Sequence, residues 1–248
     1  MELILTNALD FKRSIEAVSV LIDEAELVIA SEGLTLKATD PSQISLVDFE
    51  LSKKNFSKFE VPETTKLGLD LDYLSQVLSR AKKEDQLSLV LDKDKSNLKI
   101  TFLGSSKRSF SIPLIDVSEQ QLPNPKIEFD AEIVVQADVL KESLKDAALI
   151  SSHVILEATL ESMGIKAHSS KGTLNSETKK SESCVKKFNV KTQCRSIFPL
   201  DYLQDMLKAA DSSTEVCISL KTNAPVKLSY SIGSATIAYF LAPRIETE

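Results

Sequence analysis

The sequence predicts an α+β protein made of two similar domains, and three observations support this prediction. The stretch LDYLSQVLSRA at residues 71–81 returns, little changed, as LDYLQDMLKAA at residues 200–210. A pattern of apolar residues with helical spacing precedes each copy, and runs that alternate apolar and polar residues follow it. We therefore expect each half of the chain to read strand, helix, several strands, helix and several strands.

The first helix of each domain is predicted from apolar residues spaced three and four apart. In the first half this spacing predicts a helix over residues 11–25, with an apolar face formed by Phe11, Ile15, Val18, Ile22 and Ala25. In the second half the equivalent helix is marked by Leu140, Leu144 and Ala147. Each helix is followed by two strands and a glycine turn, within 27–38 around Gly33 and within 154–168 around Gly164.

The two LDYL segments are the second helices. Asp72 and Asp201 stand where an N-cap residue is expected, because their carboxylates can accept from free backbone N–H groups of the first turn. We expect these helices to face inward through Tyr73, Val77, Leu78 and Ala81 in the first half and Tyr202, Met206, Leu207 and Ala210 in the second. Alternating runs within 87–102 and 216–230 predict the strands that follow.

A proline-containing segment separates the two halves. The stretch IDVSEQQLPNPKIEF, residues 115–129, has Pro123 and Pro125 and no helical period, which is typical of a surface connector. The predicted domains are therefore residues 1–114 and residues 130–248.

Composition places the chain among globular proteins. The 248 residues carry a formal net charge of −6, with 42% hydrophobic and 27% charged residues, a balance typical of a soluble chain. We expect no membrane segment and no signal peptide, because the apolar runs are short and the N-terminus has neither a basic start nor a cleavage site. The three cysteines, Cys184, Cys194 and Cys217, lack metal-site spacing, so we expect free thiols in a reducing compartment.

Motifs for catalysis are missing from the sequence. It has no glycine-rich phosphate loop and no G-x-S-x-G segment, and His153 and His168 stand apart from any cysteine. The pair Asp70 and Asp72 could hold a divalent ion, which keeps a metal-dependent nuclease or nucleotidyltransferase as an alternative. A capping role for Asp72 and the lack of an identifiable third carboxylate argue against that alternative. We therefore expect no catalytic residue, no metal and no cofactor.

Basic residues recur on the outward faces of the predicted helices, although Glu16, Glu24 and Glu142 also lie on or near these faces. Such faces can be ordinary solvated helix surfaces, or they can attract a phosphate backbone without reading base sequence. The candidates for phosphate contact are Lys12, Arg13, Lys82, Lys83, Lys141, Lys145 and Lys208.

Three separated stretches resemble sliding clamps of the PCNA type, especially archaeal ones. They are GLTLKATDPSQISLVDFEL at 33–51, PLIDVSEQQLP at 113–123 and YFLAPRIE at 239–246, and the likeness covers the whole chain in order. The resemblance implies two domains of the DNA-clamp fold, each with two helices on antiparallel sheets, and three subunits that close a pseudo-sixfold ring around duplex DNA. The helices would face the hole, and the repeated LDYL segment would supply equivalent parts of the ring.

The resemblance also implies a processivity factor for DNA replication and repair with no enzymatic activity. Its partners would be a DNA polymerase, clamp loader, ligase and nuclease that dock through PIP-box peptides, in the cytoplasm at an archaeal nucleoid or in a eukaryotic nucleus. The peptide pocket would be lined by Ile44, Leu46, Leu122, Pro225, Phe240, Leu241, Ala242, Pro243 and Ile245. A peptide-binding scaffold without DNA is a further alternative.

Ring closure in the resembled family implies two edge strands, near 105–112 and 172–180. The candidate interface residues are Lys107, Arg108, Phe110, Leu174, Glu177 and Lys179. Lys179 and Lys180 would meet Lys107 and Arg108 across a self-interface, and like charges weaken strand pairing. Both a homotrimer and one subunit of a heterotrimer therefore stay open.

Overall fold

The computed structural model of the chain describes residues 1–117, 122 and 125–245. The described residues form two compact units. The first holds most residues up to 122 together with 231–237, and the second holds most of the remainder together with 44–46. Part of the predicted connector, at 118–121 and 123–124, lies outside the described residues.

The first half of the chain has the predicted order of elements, with five strands between its two helices. The elements are β1 (Glu2–Leu5), α1 (Ala8–Ser19), β2 (Glu24–Ala30), β3 (Gly33–Thr39), β4 (Ser45–Ser52), β5 (Phe56–Glu60), β6 (Thr65–Asp70), α2 (Leu71–Leu78), β7 (Gln86–Leu91), β8 (Asn97–Leu103) and β9 (Lys107–Pro113).

The second half repeats this order element by element, which confirms the predicted duplication. Its elements are β10 (Ala131–Gln136), α3 (Ala137–Ala148), β11 (His153–Ala158), β12 (Ser162–Ser169), β13 (Gly172–Lys179), β14 (Val185–Val190), β15 (Cys194–Pro199), α4 (Leu200–Leu207), β16 (Glu215–Leu220), β17 (Val226–Ile232) and β18 (Ala235–Leu241).

The strands of each unit form antiparallel arrays that the helices cover. In the first unit one sheet has the order β5-β1-β7-β8-β9, and β4, β3, β2 and β6 are neighbours in that order. In the second unit one sheet has the order β13-β12-β11-β15, and β14, β10, β16, β17 and β18 are neighbours in that order. The strands β9 and β13 are edge strands of their sheets, at the positions that the resemblance implies.

The first helix is shorter than its apolar spacing predicts. The helix α1 ends at Ser19, Ile22 is buried in the turn that follows, and Ala25 lies in β2. From Glu24 onward the side chains alternate between buried and more exposed positions, which is the period of a strand. Residues 22 and 25 continue the helical spacing only because Ile22 is buried in the turn and Ala25 is buried in the strand that follows it.

The second helices begin one residue before the predicted caps. The side chain of Asp70, not Asp72, caps α2 by accepting from the Tyr73 N–H at 2.9 Å, and Pro199 precedes α4 without a side-chain cap. Asp72 and Asp201 lie in the first turns, where a negative charge is favourable at the positive end of the helix dipole.

This earlier start changes which side chains face inward. Tyr73 is 44% exposed, and Leu71 and Leu74 are buried instead, together with the predicted Val77 and Leu78. In α4 the buried residues are Leu200, Leu203, Met206 and Leu207, whereas Tyr202 is half-buried.

The two glycines predicted as turn residues have different roles. Gly33 begins β3 with a φ of +149°, and a Cβ there would lie 2.1 Å from the Leu51 carbonyl oxygen, so only glycine fits this close approach. Gly164 lies inside β12, opposite Glu157 on β11, and not in a turn.

Candidate functional site

The first unit presents a basic face on α1. The apolar face of α1 is buried, which turns Lys12 and Arg13 toward the partly exposed side of the helix. Lys12 Nζ lies 3.5 Å from Glu16 Oε1, one turn further along. Both side chains are partly exposed, so a phosphate would compete with Glu16 for Lys12.

The residues after α2 extend this basic face. Lys82 and Lys83 are exposed, and neither forms an ion pair in the described part of the chain. Arg80 is also exposed and was not among the predicted residues. The sequence does contain a signal for Arg80, because three basic residues occur within the five residues SRAKK at 79–83.

A buried carboxylate fixes the end of this basic segment. The Asp85 side chain, 3% exposed, accepts a hydrogen bond from the guanidinium of Arg108 on β9 and another from the Lys82 backbone N–H at 2.9 Å. Arg108 also donates to the Arg80 carbonyl at 2.7 Å and lies 5.0 Å from the centroid of the Phe102 ring. The edge strand β9 is thereby tied to the segment that follows α2.

In the second unit two of the predicted phosphate-binding lysines have acidic partners on their own helices. Lys145 Nζ lies 2.6 Å from Glu142 Oε1, and Lys208 Nζ lies 3.9 Å from Asp205 Oδ1. Burial raises the pKa of Asp205, although the Lys208 ammonium opposes the shift. Lys145 and Lys208 remain exposed, so a phosphate would compete with these carboxylates for them.

Lys141 is engaged differently. Its ammonium donates to the Ala210 carbonyl after α4, and burial lowers its pKa, while the Asp211 carboxylate acts in the opposite direction. This lysine therefore joins α3 to the end of α4, and its ammonium already has a partner there. Exposed acids also occur on these two helices, at Asp138, Glu142 and Asp146 of α3 and at Asp201 of α4.

A partly apolar surface in the second unit gathers most of the predicted peptide-binding residues. The Ala242 N–H donates to the Ile44 carbonyl at 2.8 Å, so the C-terminal segment runs beside residue 44. Ile245 is 75% exposed, and the half-exposed members are Ile44, Pro225, Phe240, Ala242 and Pro243. We call this set the tail surface.

Three predicted pocket residues do not belong to the tail surface. Leu46 and Leu241 are 3% and 0% exposed, so they support it from the core. Leu241 follows Phe240 on β18, and successive strand residues point to opposite faces. Leu122 lies in the first unit, where it lines a cavity of about 330 Å³ together with Val28 and Val117.

The two edge strands differ in how they present their candidate interface residues. On β9, Lys107 is exposed and Phe110 is half-buried against Phe102, with ring centroids 6.0 Å apart, while Arg108 points to Asp85. On β13, Leu174 is half-buried and Glu177 and Lys179 are exposed.

Charge repulsion between these edges is weaker than the sequence predicts. Arg108 is neutralised by Asp85, and Lys180 Nζ lies 2.7 Å from Glu161 Oε1. Two of the four cations that opposed self-pairing therefore have internal acidic partners.

Asp70 and Asp72, the two residues on which the enzyme alternative depends, lie at the start of α2, where they have a structural role. Asp70 caps α2 with its carboxylate, and Asp72 is exposed beside it. Across residues 1–117, 122 and 125–245, no three His, Cys, Asp or Glu side chains come together as a metal-binding group. Cys184, Cys194 and Cys217 are free thiols. No helix in the described residues is both long and apolar enough to cross a membrane.

Comparisons with known proteins match the whole chain to one family. Residues 1–121 match the model of the proliferating cell nuclear antigen N-terminal domain, and residues 124–245 match that of its C-terminal domain. The DNA polymerase sliding clamp of Thermococcus gammatolerans is 35% identical over 99% of this chain and 98% of its own length.

Two solved structures are similar in fold and sequence. The PCNA of Thermococcus kodakaraensis superposes with a TM-score of 0.93 at 28% identity, covering 98% of this chain and 99% of the other. The A. fulgidus PCNA, solved with the C-terminal region of FEN-1 bound, has a TM-score of 0.89 at 31% identity and covers 100% and 99% of the two chains.

Proposed function

Because this chain belongs to the proliferating cell nuclear antigen family of DNA polymerase sliding clamps, we propose that it encircles duplex DNA and tethers replication and repair enzymes to it. The observation that carries this proposal is the match of both family domains, in order, to residues 1–121 and 124–245. The chain is a non-catalytic processivity factor in this proposal, and the nuclease or nucleotidyltransferase alternative is not favoured.

We assign the DNA contacts first to the basic face of the first unit. Lys12, Arg13, Lys82 and Lys83 present cations without reading bases, and contacts of this kind to phosphates permit sliding. Lys12, Lys145 and Lys208 contribute less than Lys82 and Lys83, because each already lies near a carboxylate one turn away. A closed ring does not need tight contacts, since its topology keeps it on the DNA.

The tail surface is the proposed docking site for partner enzymes. Its exposed Ile245 and half-exposed Phe240, Pro243 and Pro225 can receive apolar and aromatic anchors of a PIP-box peptide. The A. fulgidus PCNA structure with the FEN-1 C-terminal region offers a precedent for a nuclease tail as partner. A polymerase, ligase and clamp loader would use the same surface.

Self-association would join β9 of one copy to β13 of the next. Exposed Lys107 lies on β9. Exposed Arg80 lies close to this strand, because its carbonyl accepts a hydrogen bond from Arg108. The β13 edge adjoins α3, since the hydroxyls of Ser143 and Ser176 lie 2.8 Å apart. Exposed Glu142, which pairs with Lys145, precedes Ser143 on α3 and exposed Asp146 follows it, while Lys179 is exposed on β13 itself.

Basic and acidic edges of this kind are complementary, so they favour association between copies. We therefore propose a homotrimer, with a heterotrimer as the second assembly that the same edges permit.

The test is primer extension on singly primed circular DNA with an archaeal replicative polymerase and its clamp loader. Addition of the chain is expected to convert short products into full-length ones at a salt concentration where the polymerase alone dissociates. A linear template with free ends serves as the control, because a ring slides off it. No lengthening of products on the circle would contradict the proposal.

A further inference from the structure

Lys227 and Phe240 lie on one face of neighbouring strands in the second unit. On β17 the flanking Val226 and Leu228 are buried and Lys227 is half-exposed, and on β18 Phe240 is likewise half-exposed between buried neighbours. The Lys227 ammonium lies 5.5 Å from the centroid of the Phe240 ring. This is a cation–π contact, which holds the ammonium at the tail surface.

No acidic partner within the described chain neutralises this ammonium. Across the sheet Lys227 pairs in register with Ser219, which in turn pairs with Glu132. The Glu132 carboxylate lies two strands away from Lys227 and is engaged by Lys187 Nζ on the strand beyond it. Ion-pair distances in the described residues join no carboxylate to Lys227 itself.

A ligand that covers Phe240 would also remove water from the Lys227 ammonium. Partial desolvation of an unpaired charge is unfavourable, and a carboxylate on the ligand offsets that cost while a neutral amide does not. Arg244, exposed between Pro243 and Ile245, adds a second positive charge to the same stretch of surface. The charge pattern therefore fits an acidic ligand.

We propose that Lys227 is a specificity-determining residue that selects partner peptides with an Asp or Glu beside their aromatic anchor. The inference rests on the proposed docking function of the tail surface and names a chemical feature of the partner. The peptide's apolar anchors supply most of the affinity, and the carboxylate discriminates between peptides with similar anchors.

The test uses a set of synthetic PIP-box peptides that differ from one another at a single position. At each position next to the aromatic anchor, one peptide carries Asp and its pair carries Asn, and dissociation constants are measured by fluorescence anisotropy on the full chain. At low salt we expect one Asp peptide to bind about fivefold more tightly than its Asn pair. This preference should fall toward unity at about 1 M salt, because added ions screen partly exposed charges.

Lys227→Met retains the length of the side chain and removes its charge. It should abolish the Asp preference and change the affinity for the Asn peptide by less than about twofold. Lys191→Met, at an exposed lysine elsewhere in the second unit, is the matched control and should keep the preference. Lys227→Glu should reverse it toward a peptide that carries Lys at that position.

Three results would overturn the inference, and the first two are distinguishable from the third. Equal binding of every Asp and Asn pair, or an Asp preference that persists in Lys227→Met, would remove the role of Lys227 and leave the docking surface intact. Failure of every peptide to bind the unmodified chain would overturn the docking surface together with the inference.

Discussion

The guanidinium of Arg108 on β9 donates to the buried carboxylate of Asp85, which lies in the loop after α2. The same carboxylate accepts from the Lys82 backbone N–H, and Arg108 also donates to the Arg80 carbonyl. A proposed subunit edge and a proposed DNA-binding segment therefore share one ion pair. We expect a change at Asp85 to alter both.

Replacement of Asp85 by Ala should destabilise the first unit by about 2–4 kcal/mol, because it leaves a partly buried guanidinium without its acidic partner. Urea unfolding followed by circular dichroism measures this effect. Asp94→Ala, in an exposed loop, is the control and should change the free energy of unfolding by less than about 0.5 kcal/mol. Equal stability of the two variants would show that the pair contributes little.

The repeated architecture could be predicted from the sequence, because the spacing of apolar residues distinguishes helices from strands in both halves. The same periodicity could not place element ends. Ala25 continues the helical spacing of α1 although it lies in β2, and Asp70 caps α2 in place of Asp72. The end of a helix depends on local hydrogen bonds that the spacing of apolar positions does not include.

For the candidate surfaces, the sequence could predict which types of residue they contain but not which side chains contact one another. Sequence patterns indicated that Lys145 and Lys208 lie on outward helix faces, but they could not show that Glu142 and Asp205 lie within ion-pair distance. Nor could they show that Arg108 points to Asp85 instead of across the edge of β9. Such pairings depend on rotamers and on contacts between residues far apart in the chain.

Substitution of Lys82 and Lys83 by Ser should weaken DNA binding more than substitution of Lys145 and Lys208, because only the ammonium groups of the second pair lie within ion-pair distance of a carboxylate in the described residues. The salt dependence of duplex binding measures the effect, and the log–log slope should fall by about 1 for each phosphate that the variant no longer neutralises. Light scattering on each variant verifies that the assembly is unchanged. Equal weakening by both double substitutions would contradict the assignment of DNA contacts mainly to the first unit.

Truncation of Phe240 to Ala should weaken binding of a FEN-1 C-terminal peptide at least tenfold, about 1.4 kcal/mol, because the ring is the largest apolar group of the tail surface. Isothermal titration calorimetry gives the dissociation constants. Leu160→Ala removes a 52% exposed apolar side chain elsewhere in the second unit and should leave them unchanged. Undiminished binding by the Phe240 variant would place the docking site elsewhere.

Charge exchange at the proposed edges tests self-association. Arg80→Glu alone, or Glu142→Arg together with Asp146→Arg, should lower the mass measured by light scattering toward the 27.3 kDa of one chain. Like charges would then face one another across the edge. A mixture of the two variants should recover part of the larger mass, because both kinds of contact between unlike variants bring opposite charges together. In a three-membered ring one contact still joins two copies of the same variant, so the recovery is partial.

Lys99→Glu, on the exposed face of β8, is the control for this charge change and should leave the assembly unaltered. If the unmodified chain itself has the mass of a monomer at every concentration, the homotrimer is excluded. The heterotrimeric assembly would then be the one to test, by the addition of a second clamp chain.

Cys194 should resist thiol reagents in the native protein because it is buried in β15. Burial raises the pKa of its thiol from 9.0 to about 11, so at pH 8 its thiolate fraction is about a hundredfold below that of an ordinary cysteine. Mass spectrometry after brief alkylation at pH 8 should find Cys194 unmodified until urea unfolds the chain.

The raised pKa of the Cys194 thiol also makes the stability of the fold depend on pH. The unfolded thiol ionises at a lower pH than the folded one, so this cysteine favours the fold below pH 9 and loses that contribution as the pH rises toward 11. Cys194→Ala should therefore flatten the decline in thermal stability between these pH values. An unchanged decline would show that other groups control it.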